Sequence, residues 1–124
     1  MKMILEKGDA ASNRIRHYEP GQLTINDRVL ETSVLVTPGT DLRDWPPATF
    51  EDLVPEHATP ILDLEPEVVL LGTGPSQRFP EREIMLAFLE RGIGIEVMDT
   101  ASACRTYNIL MAEDRRVVAA LIIR

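Results

Sequence analysis

Val68-Val69-Leu70-Leu71-Gly72-Thr73-Gly74 is the stretch that decides the fold. Four apolar residues in a row, too few for a helix and followed by glycine, are typical of a strand buried on both faces. Such strands belong to parallel sheets, and α/β proteins place their ligands at the loops that follow the carboxyl ends of these strands. The stretch therefore predicts a central strand whose end opens into a loop.

The residues after this stretch predict a helix with clear start and stop signals. Pro80 suits the first helical position, and Glu81 and Glu83 place negative charge in the first turn. Arg91 followed by Gly92 provides the end. The apolar stripe between these signals consists of Ile84, Phe88 and Leu89.

The rest of the chain continues the alternation of strand and helix. Ile93 to Met98 predicts a second strand, and Asp99-Thr100 predicts the N-cap of a helix that runs to about Ala112. Val117 to Ile123 predicts a last apolar strand. The order strand, helix, strand, helix, strand favours an α/β fold with right-handed crossovers, although the orientation of the last strand stays open.

The first third of the chain predicts short antiparallel strands. Ile15 to Tyr18 and Gln22 to Ile25 are β-like runs separated by a Pro20-Gly21 turn. Val29-Leu30 and Val34 to Val36 continue a meander that ends before Pro38-Gly39. We expect residues 1–14 to be a mobile lead-in and residues 15–124 to form one domain.

Between the two halves, short polar and proline-rich segments predict little regular structure. Thr49 to Leu53 is a short helix candidate with Thr49 as its cap. The segment from Pro55 to Pro66 contains three prolines and predicts a surface connection.

Composition excludes several classes of function. The 124 residues suffice for one domain, with 44% hydrophobic and 27% charged residues. Thirteen Lys and Arg against twenty Asp and Glu give a formal charge of −7, which disfavours nucleic acid as a partner. Such a charge is compatible with a basic partner surface, although acidity is more often a matter of solubility.

Cysteine and histidine counts exclude a disulfide framework and a histidine-rich zinc site, because the chain has one Cys and two His. No apolar run approaches the ~20 residues that a membrane span needs. The first residues lack the pattern of a signal or transit peptide. We therefore expect a protein of the reducing cytoplasm, with no resident metal and no membrane insertion.

Gly72-Thr73-Gly74 begins like a dinucleotide-binding motif, and Asp99 ends the next strand, where a ribose-binding carboxylate would stand. The third glycine of that motif is replaced by Gln77, and the helix begins too late to meet a pyrophosphate held by the glycines. The structural alternative is a tight turn with close backbone packing.

Polar side chains on the helix after Asp99 extend this candidate pocket. Thr106-Tyr107-Asn108 lies mid-helix, where propensity alone favours other residues. Either these side chains tether neighbouring loops, or they line a pocket to which Arg78 and Arg82 add positive charge. The candidate ligand-binding residues are Gly72, Thr73, Gly74, Asp99, Thr100, Thr106 and Asn108.

Four further residues have side chains that are often functional, and each also has a purely structural interpretation. Cys104 lies near a helix start, which favours a thiolate, but a lone cysteine is commonly a small buried residue. His17 and His57 have no triad pattern around them. Trp45 either packs over the edge of the core from an ordered loop or serves as an exposed anchor for a partner. No catalytic residue is predicted.

Five motifs in order resemble a known family. They are Trp45-Pro46, Val69-Leu70-Leu71-Gly72-Thr73-Gly74, Glu96-Val97-Met98-Asp99-Thr100, Thr106-Tyr107-Asn108-Ile109-Leu110 and Arg116-Val117-Val118-Ala119-Ala120-Leu121. Together they are similar to a widespread family of uncharacterised proteins. It includes a mitochondrial respiratory complex I assembly factor and an adipogenesis-associated protein.

This resemblance implies a single three-layer α/β domain, in which helices flank a central mixed, mostly parallel sheet and an antiparallel β-hairpin or meander is added at the N-terminal end. It gives no reason to assume an enzymatic activity or a cofactor, and the better-studied relatives have roles in protein assembly and regulation. The absence of a transit peptide suggests a bacterial or archaeal member.

Two functional hypotheses follow. The first is a small protein-binding or assembly-factor-like module without catalysis. The alternative is a small-molecule or nucleotide-binding protein, with weak enzymatic activity, that uses the loops after Gly72 and Asp99. An exposed edge strand in the front meander is compatible with a homo-oligomer.

Overall fold

The computed structural model describes residues 12–124. This part of the chain contains eight strands, three α-helices and two short 3₁₀ turns, at Phe50–Asp52 and Pro55–Ala58. The strands are β1 (Ile15–Glu19), β2 (Gln22–Ile25), β3 (Arg28–Leu30), β4 (Val34–Val36), β5 (Leu42–Asp44), β6 (Val68–Thr73), β7 (Gly94–Met98) and β8 (Val117–Ile122). The helices are α1 (Thr59–Leu62), α2 (Arg82–Leu89) and α3 (Thr100–Ala112).

The strands form two sheets. A three-stranded antiparallel sheet has the order β1-β2-β3, and a five-stranded sheet has the order β5-β4-β8-β6-β7. β8 runs parallel to β6, with Val68 opposite Val117, and antiparallel to β4. This pairing settles the orientation of the last strand, and the predicted mixed α/β fold class is confirmed.

The central strands β6 and β8 are buried along their whole length. Because side chains alternate across a strand, each of the two contributes to a core on either face of the large sheet. On one face these side chains pack against α3 and the three-stranded sheet, and on the other against α2, α1 and the 3₁₀ turns. The central sheet is therefore the middle of three layers.

The front of the chain is divided between the two sheets. The predicted turn before β2 is confirmed, with Gly21 at φ +91°. The prediction that Val34–Val36 continues one meander is wrong, because this fully buried strand leaves the small sheet and pairs with β8. Leu42–Asp44, just before the loop expected at Trp45, forms the edge strand β5 against β4.

Other boundaries also differ from expectation. Residues 55–66 are not a bare connection, because they form a 3₁₀ turn and α1, which bury Ala58 and Ile61. Helix α2 begins at Arg82 with Glu81 as its N-cap, so Pro80 precedes the helix rather than occupying its first position. Ile84 and Phe88 of the predicted apolar stripe are buried, whereas Leu89, predicted as part of that stripe, is 54% exposed.

The predicted mobile lead-in lies outside the described residues, apart from its last three. Within those three, Asn13 is buried. Its side-chain Nδ2 donates to the carbonyl oxygens of Thr37 (3.0 Å) and Asp41 (2.9 Å). Asn13, which precedes β1, is therefore fixed to the segment that follows β4.

Candidate functional site

The end of β6 meets the start of α3 at what we call the strand-end cluster, defined as Gly72, Thr73, Gly74, Asp99 and Thr100. Gly72 permits this approach, because a Cβ atom there would lie 2.9 Å from Thr100 Oγ1 and 3.1 Å from Thr100 Cα. The first distance is shorter than real Cβ contacts and the second is tighter than nine in ten of them, so a side chain at position 72 would push α3 away from the sheet.

Thr100 joins three segments through one buried hydroxyl. Its Oγ1 donates to the carbonyl oxygen of Ile122 (2.6 Å) and accepts from the backbone N–H of Gly74 (2.8 Å). The N–H of Thr100 in turn donates to the carbonyl oxygen of Gly74 (2.9 Å). Gly74 has φ +99°, a backbone conformation that favours glycine. The N–H and the carbonyl oxygen of this glycine are therefore both hydrogen-bonded to Thr100, at the start of α3.

Thr73 organises the loop that follows β6, which comprises residues 75–81 and which we call the 75–81 loop. The Thr73 hydroxyl lies 2.7 Å from the carbonyl oxygen of Ser76, to which it donates. It accepts from the N–H of Arg78 (3.1 Å). Gln77 Nε2 donates to the carbonyl oxygen of Val97 (2.9 Å) and ties the loop to β7. The loop is therefore held by the strand ends on both sides.

Asp99 caps α3, as predicted. Its carboxylate accepts from the N–H of Ser102 (2.8 Å) and from the Ser102 hydroxyl (3.0 Å). The hydrogen bond from the Ser102 N–H is the main cause that lowers the pKa of Asp99 below its ordinary value, and Arg105 contributes. Both carboxylate oxygens are used within the helix.

Replacing Asp99 with alanine is expected to lower the free energy of unfolding by about 1 kcal/mol at pH 7, the usual cost of a lost N-cap. Because the folded-state pKa is lowered, the contribution of the charged cap is fully present above the ordinary pKa and disappears as pH falls through the folded-state value. Urea denaturation at pH 7 and below pH 3 measures this difference. Asp44→Ala, an exposed strand-end carboxylate, is the control. An Asp99→Ala deficit that is the same at both pH values would contradict this account.

The remaining candidate pocket residues lie further along α3. Eight residues separate Thr100 from Asn108, which places them about 12 Å apart along the helix axis. Asn108 instead pairs with β1: its Oδ1 accepts from the N–H of Ile15 (3.0 Å) and its Nδ2 donates to the carbonyl oxygen of Ile15 (2.7 Å). The side-chain hydroxyl of Thr106 makes no hydrogen bond within residues 12–124. The candidate residues therefore do not converge on one point.

Tyr107 is a tether that sequence reasoning associated with the pocket. It is fully buried, and its hydroxyl donates to the carbonyl oxygen of Asn13 (2.7 Å). Burial raises the pKa of this phenol. Together with Asn108, it fixes residues 13–15 to α3 across more than 90 residues of sequence.

Cys104 has the environment of a structural residue. It is buried on α3, and burial raises the pKa of its thiol to about 12. A thiol that stays protonated at neutral pH is a poor nucleophile. The plainer interpretation of this cysteine is therefore favoured.

Trp45 packs in the core rather than on the surface. Its ring is 3% exposed, and its Nε1 donates to the carbonyl oxygen of His57 (3.0 Å). His57 Nδ1 accepts from the N–H of Val54 (3.1 Å), so this histidine connects the buried tryptophan to an exposed segment. An exposed anchor at Trp45 is incompatible with this burial.

An exposed apolar surface lies nearby that the sequence did not reveal, and we call it the Phe79 patch. It comprises Phe50, Val54, Phe79 and Pro80 around a groove of about 360 Å³. Phe79 is 73% exposed and Val54 40%. An exposed phenylalanine beside a proline gives no periodic signal, so only its place in the 75–81 loop, at a strand end, could have drawn attention to it.

Charged residues frame the Phe79 patch. The Arg78 guanidinium lies 4.4 Å from the centre of the Phe50 ring and forms an ion pair with Glu51. This hydrogen bond from Arg78 lowers the pKa of Glu51. The arrangement, an apolar centre with a polar rim, is typical of protein-binding surfaces.

No helix within residues 12–124 has the length and apolar character needed to cross a membrane. Within the same residues, no three potential ligands among His, Cys, Asp and Glu are gathered to hold a metal ion.

The fold and the strand-end cluster define a three-layer α/β domain whose sequence profile is that of a recognised family. The profile described as "Protein of unknown function (DUF498/DUF598)" matches residues 15–122. The chain belongs to this family, and the resemblance inferred from its motifs is confirmed.

Curated relatives carry the name "NADH dehydrogenase [ubiquinone] 1 alpha subcomplex assembly factor 3". The Danio rerio protein of this name is 35% identical over 121 residues, which cover 96% of this chain and 69% of that protein. The Homo sapiens protein is 32% identical over 122 residues, which cover 96% of this chain and 65% of that protein. The chain therefore spans about two thirds of the length of these relatives.

Solved structures show the same fold. A crystal structure of a Bordetella parapertussis protein has a TM-score of 0.85 at 36% identity and covers 92% of this chain and 98% of its own. A solution structure from Bordetella pertussis, described as a Mth938-like domain, has a TM-score of 0.80 at 31% identity, with 91% and 87% covered.

Proposed function

We propose that this chain is a protein-binding module of the assembly-factor kind, without catalysis, and that the Phe79 patch contacts its partner. Membership of a family that includes named assembly factors supports a protein as the partner. We propose a cytoplasmic location for the chain, as expected from its cysteine usage. The proposed function involves no nucleic acid, no cofactor and no membrane insertion.

The observation that carries this proposal is the exposure of Phe79. A phenylalanine that is 73% exposed gains nothing in the isolated domain, whereas its burial by a partner would be favourable. Phe79 lines the same groove as Phe50 and Val54, so apolar side chains from three positions meet at one surface. Contiguous exposed apolar surface with a polar rim is a recurrent mark of interaction sites.

The fixed shape of the 75–81 loop supports the same interpretation. Thr73 and Gln77 hold the loop through hydrogen bonds to its backbone and to β7. A loop that is ordered before binding loses less conformational entropy when the partner arrives. In this view the strand-end cluster positions a binding loop, and its polar groups are used inside the fold instead of on a small ligand.

Replacing Phe79 with serine is expected to remove partner enrichment without affecting stability. Truncation of a central aromatic anchor typically costs about 2 kcal/mol or more of binding, which corresponds to a loss of roughly 30-fold in affinity. Affinity purification from the native host, with quantitative mass spectrometry, measures enrichment by wild type and Phe79→Ser.

The matched control is Ile109→Ser, because Ile109 is 60% exposed and lies on α3 rather than in the patch. Its bait is expected to enrich the same partner as wild type. Equal enrichment by Phe79→Ser and wild type would contradict the assignment of the patch, and absence of any wild-type partner would contradict the proposed function.

A further inference from the structure

A second surface lies between β1 and α3, which we call the β1–α3 groove. It is open to solvent, has a volume of about 600 Å³, and is lined on the strand side by Arg14, Arg16 and Tyr18 and on the helix side by Arg105 and Asn108. No Asp or Glu contributes to its lining. The groove lies on the face of the large sheet opposite the elements that carry the Phe79 patch.

The charge of this groove is opposite to that of the whole protein. The chain has a formal charge of −7, yet three guanidinium groups line one groove. None of the three forms an ion pair with an acidic side chain that the structure describes; Arg105 donates to the Ser102 hydroxyl (3.2 Å). Asp99, on the first turn of α3, already accepts two hydrogen bonds from Ser102. Positive charge is therefore available to a ligand.

The base of the groove has a defined shape. Both polar atoms of the Asn108 side chain bond the backbone of Ile15, much as a neighbouring strand would, and hold β1 beside α3. The Tyr18 hydroxyl donates to the carbonyl oxygen of Ile123 (3.3 Å) and fixes the other end. These hydrogen bonds fix the positions from which the long arginine side chains extend.

The three cations lie on both walls of the groove. Arg14 directly precedes β1, Arg16 lies where the pairing of β1 with β2 is irregular, and Arg105 lies on the facing helix α3. Guanidinium groups bind carboxylates through paired hydrogen bonds. A segment that carries several carboxylates can therefore contact cations on both walls.

We propose that the β1–α3 groove binds an extended acidic segment of a partner protein through Arg14, Arg16 and Arg105. The inference rests on the proposed function, because it names the chemistry of one part of a protein partner. A long nucleic acid strand fits less well, since a chain with a formal charge of −7 repels the phosphates that lie beyond the groove. Tyr18 is half-buried and hydrogen-bonded, so it is not an open platform on which bases stack.

Fluorescence anisotropy of the full chain tests the proposal with a labelled eight-residue peptide of alternating Glu and Ser. Wild type is expected to bind this probe, and more weakly as salt rises from 50 to 300 mM. The double substitution Arg14→Glu/Arg16→Glu is expected to weaken binding at least tenfold. The matched control is Arg28→Glu/Arg91→Glu, which makes the same change in net charge at exposed positions outside the groove and should bind as wild type does.

Mapping of amide chemical shifts in ¹⁵N-labelled protein checks the location. The acidic peptide is expected to shift Arg16 and Ala101, which line the groove, and to leave Phe79 unchanged. Equal binding by the groove variant and the control would overturn the inference. So would tighter binding of inorganic phosphate, a single-stranded oligonucleotide or phosphatidylserine vesicles than of the peptide.

The two proposals fail separately. If the acidic peptide does not bind while Phe79-dependent enrichment persists, this inference is wrong and the proposed function stands. If the peptide binds in the groove but wild type enriches no partner from the host, the groove chemistry stands and the proposed function loses its support.

Discussion

Replacing Gly72 with valine is expected to lower the free energy of unfolding by about 3 kcal/mol, because the new side chain has no space at the junction of β6 and α3. Its Cβ would lie 2.9 Å from Thr100 Oγ1, 3.0 Å from Leu121 Cδ2 and 3.1 Å from Thr100 Cα. The last of these is a backbone atom that cannot rotate away. Relief therefore requires α3 to move from the sheet, at the cost of packing and of the Thr100 hydrogen bonds.

Urea denaturation of Gly72→Val and of the control Gly39→Val measures this effect. A Cβ at Gly39 meets nothing within 4 Å, so the control is expected to remain close to wild type. If Gly72→Val does not fold, Gly72→Ala replaces it, with an expected loss of about 1–2 kcal/mol. Equal stability of the position 72 and position 39 variants would show that the close approach is not required.

Replacing Thr100 with valine is expected to cost about 2–4 kcal/mol, although the two side chains have nearly the same shape. The hydroxyl of Thr100 accepts a hydrogen bond from the N–H of Gly74 and donates one to the carbonyl oxygen of Ile122. Valine has no hydroxyl, so the substitution removes both of these buried hydrogen bonds. Leaving a buried polar group without its partner costs roughly 1–3 kcal/mol. The expected loss of stability therefore comes from the unpaired N–H of Gly74 and the unpaired carbonyl of Ile122, and not from a cavity.

Thr106→Val is the matched control for this substitution. Thr106 lies on the same helix and is half-buried, and its side-chain hydroxyl makes no hydrogen bond within residues 12–124. Its replacement should therefore change stability by less than about 0.5 kcal/mol. Both variants replace threonine with valine in α3, so they share any effect of helix propensity. The difference between their thermal unfolding under the same conditions therefore measures the contribution of the Thr100 hydrogen bonds. A Thr100→Val variant as stable as Thr106→Val would contradict the bridging role of the hydroxyl.

Local patterns in the sequence predicted the elements whose cause is local. The strand at Val68, the N-cap at Asp99 and the helix to Ala112 depend on neighbouring residues, and the structure confirms them. The apolar run from Val117 predicted β8, but not its direction, because pairing with β6 and β4 involves residues 49 and 87 positions away in sequence.

Non-local contacts explain what sequence reasoning missed. Val34–Val36 resembled its meander neighbours, and only its pairing with β8 assigns it to the large sheet. Asn108 was grouped with a pocket because its partner, the backbone of Ile15, lies 93 residues upstream. Phe79 carries no local signal, since its exposure is a consequence of how Thr73 and Gln77 hold the 75–81 loop.

The central claim is a division of roles between these regions. The strand-end cluster builds the fold and orders a loop, and we propose that the Phe79 patch contacts a protein. The alternative, a small-molecule site at the strand ends, would require Asp99 to face a ligand, whereas both of its oxygens bond Ser102.

Quantitative affinity purification from the native host with wild-type, Phe79→Ser and Asp99→Ala baits tests this claim most directly. The account predicts that wild type and Asp99→Ala enrich the same protein partner, since the lost N-cap costs only about 1 kcal/mol of stability. It predicts that Phe79→Ser loses that partner. Enrichment that survives Phe79→Ser but disappears with Asp99→Ala would contradict the account and place the functional surface at the strand ends.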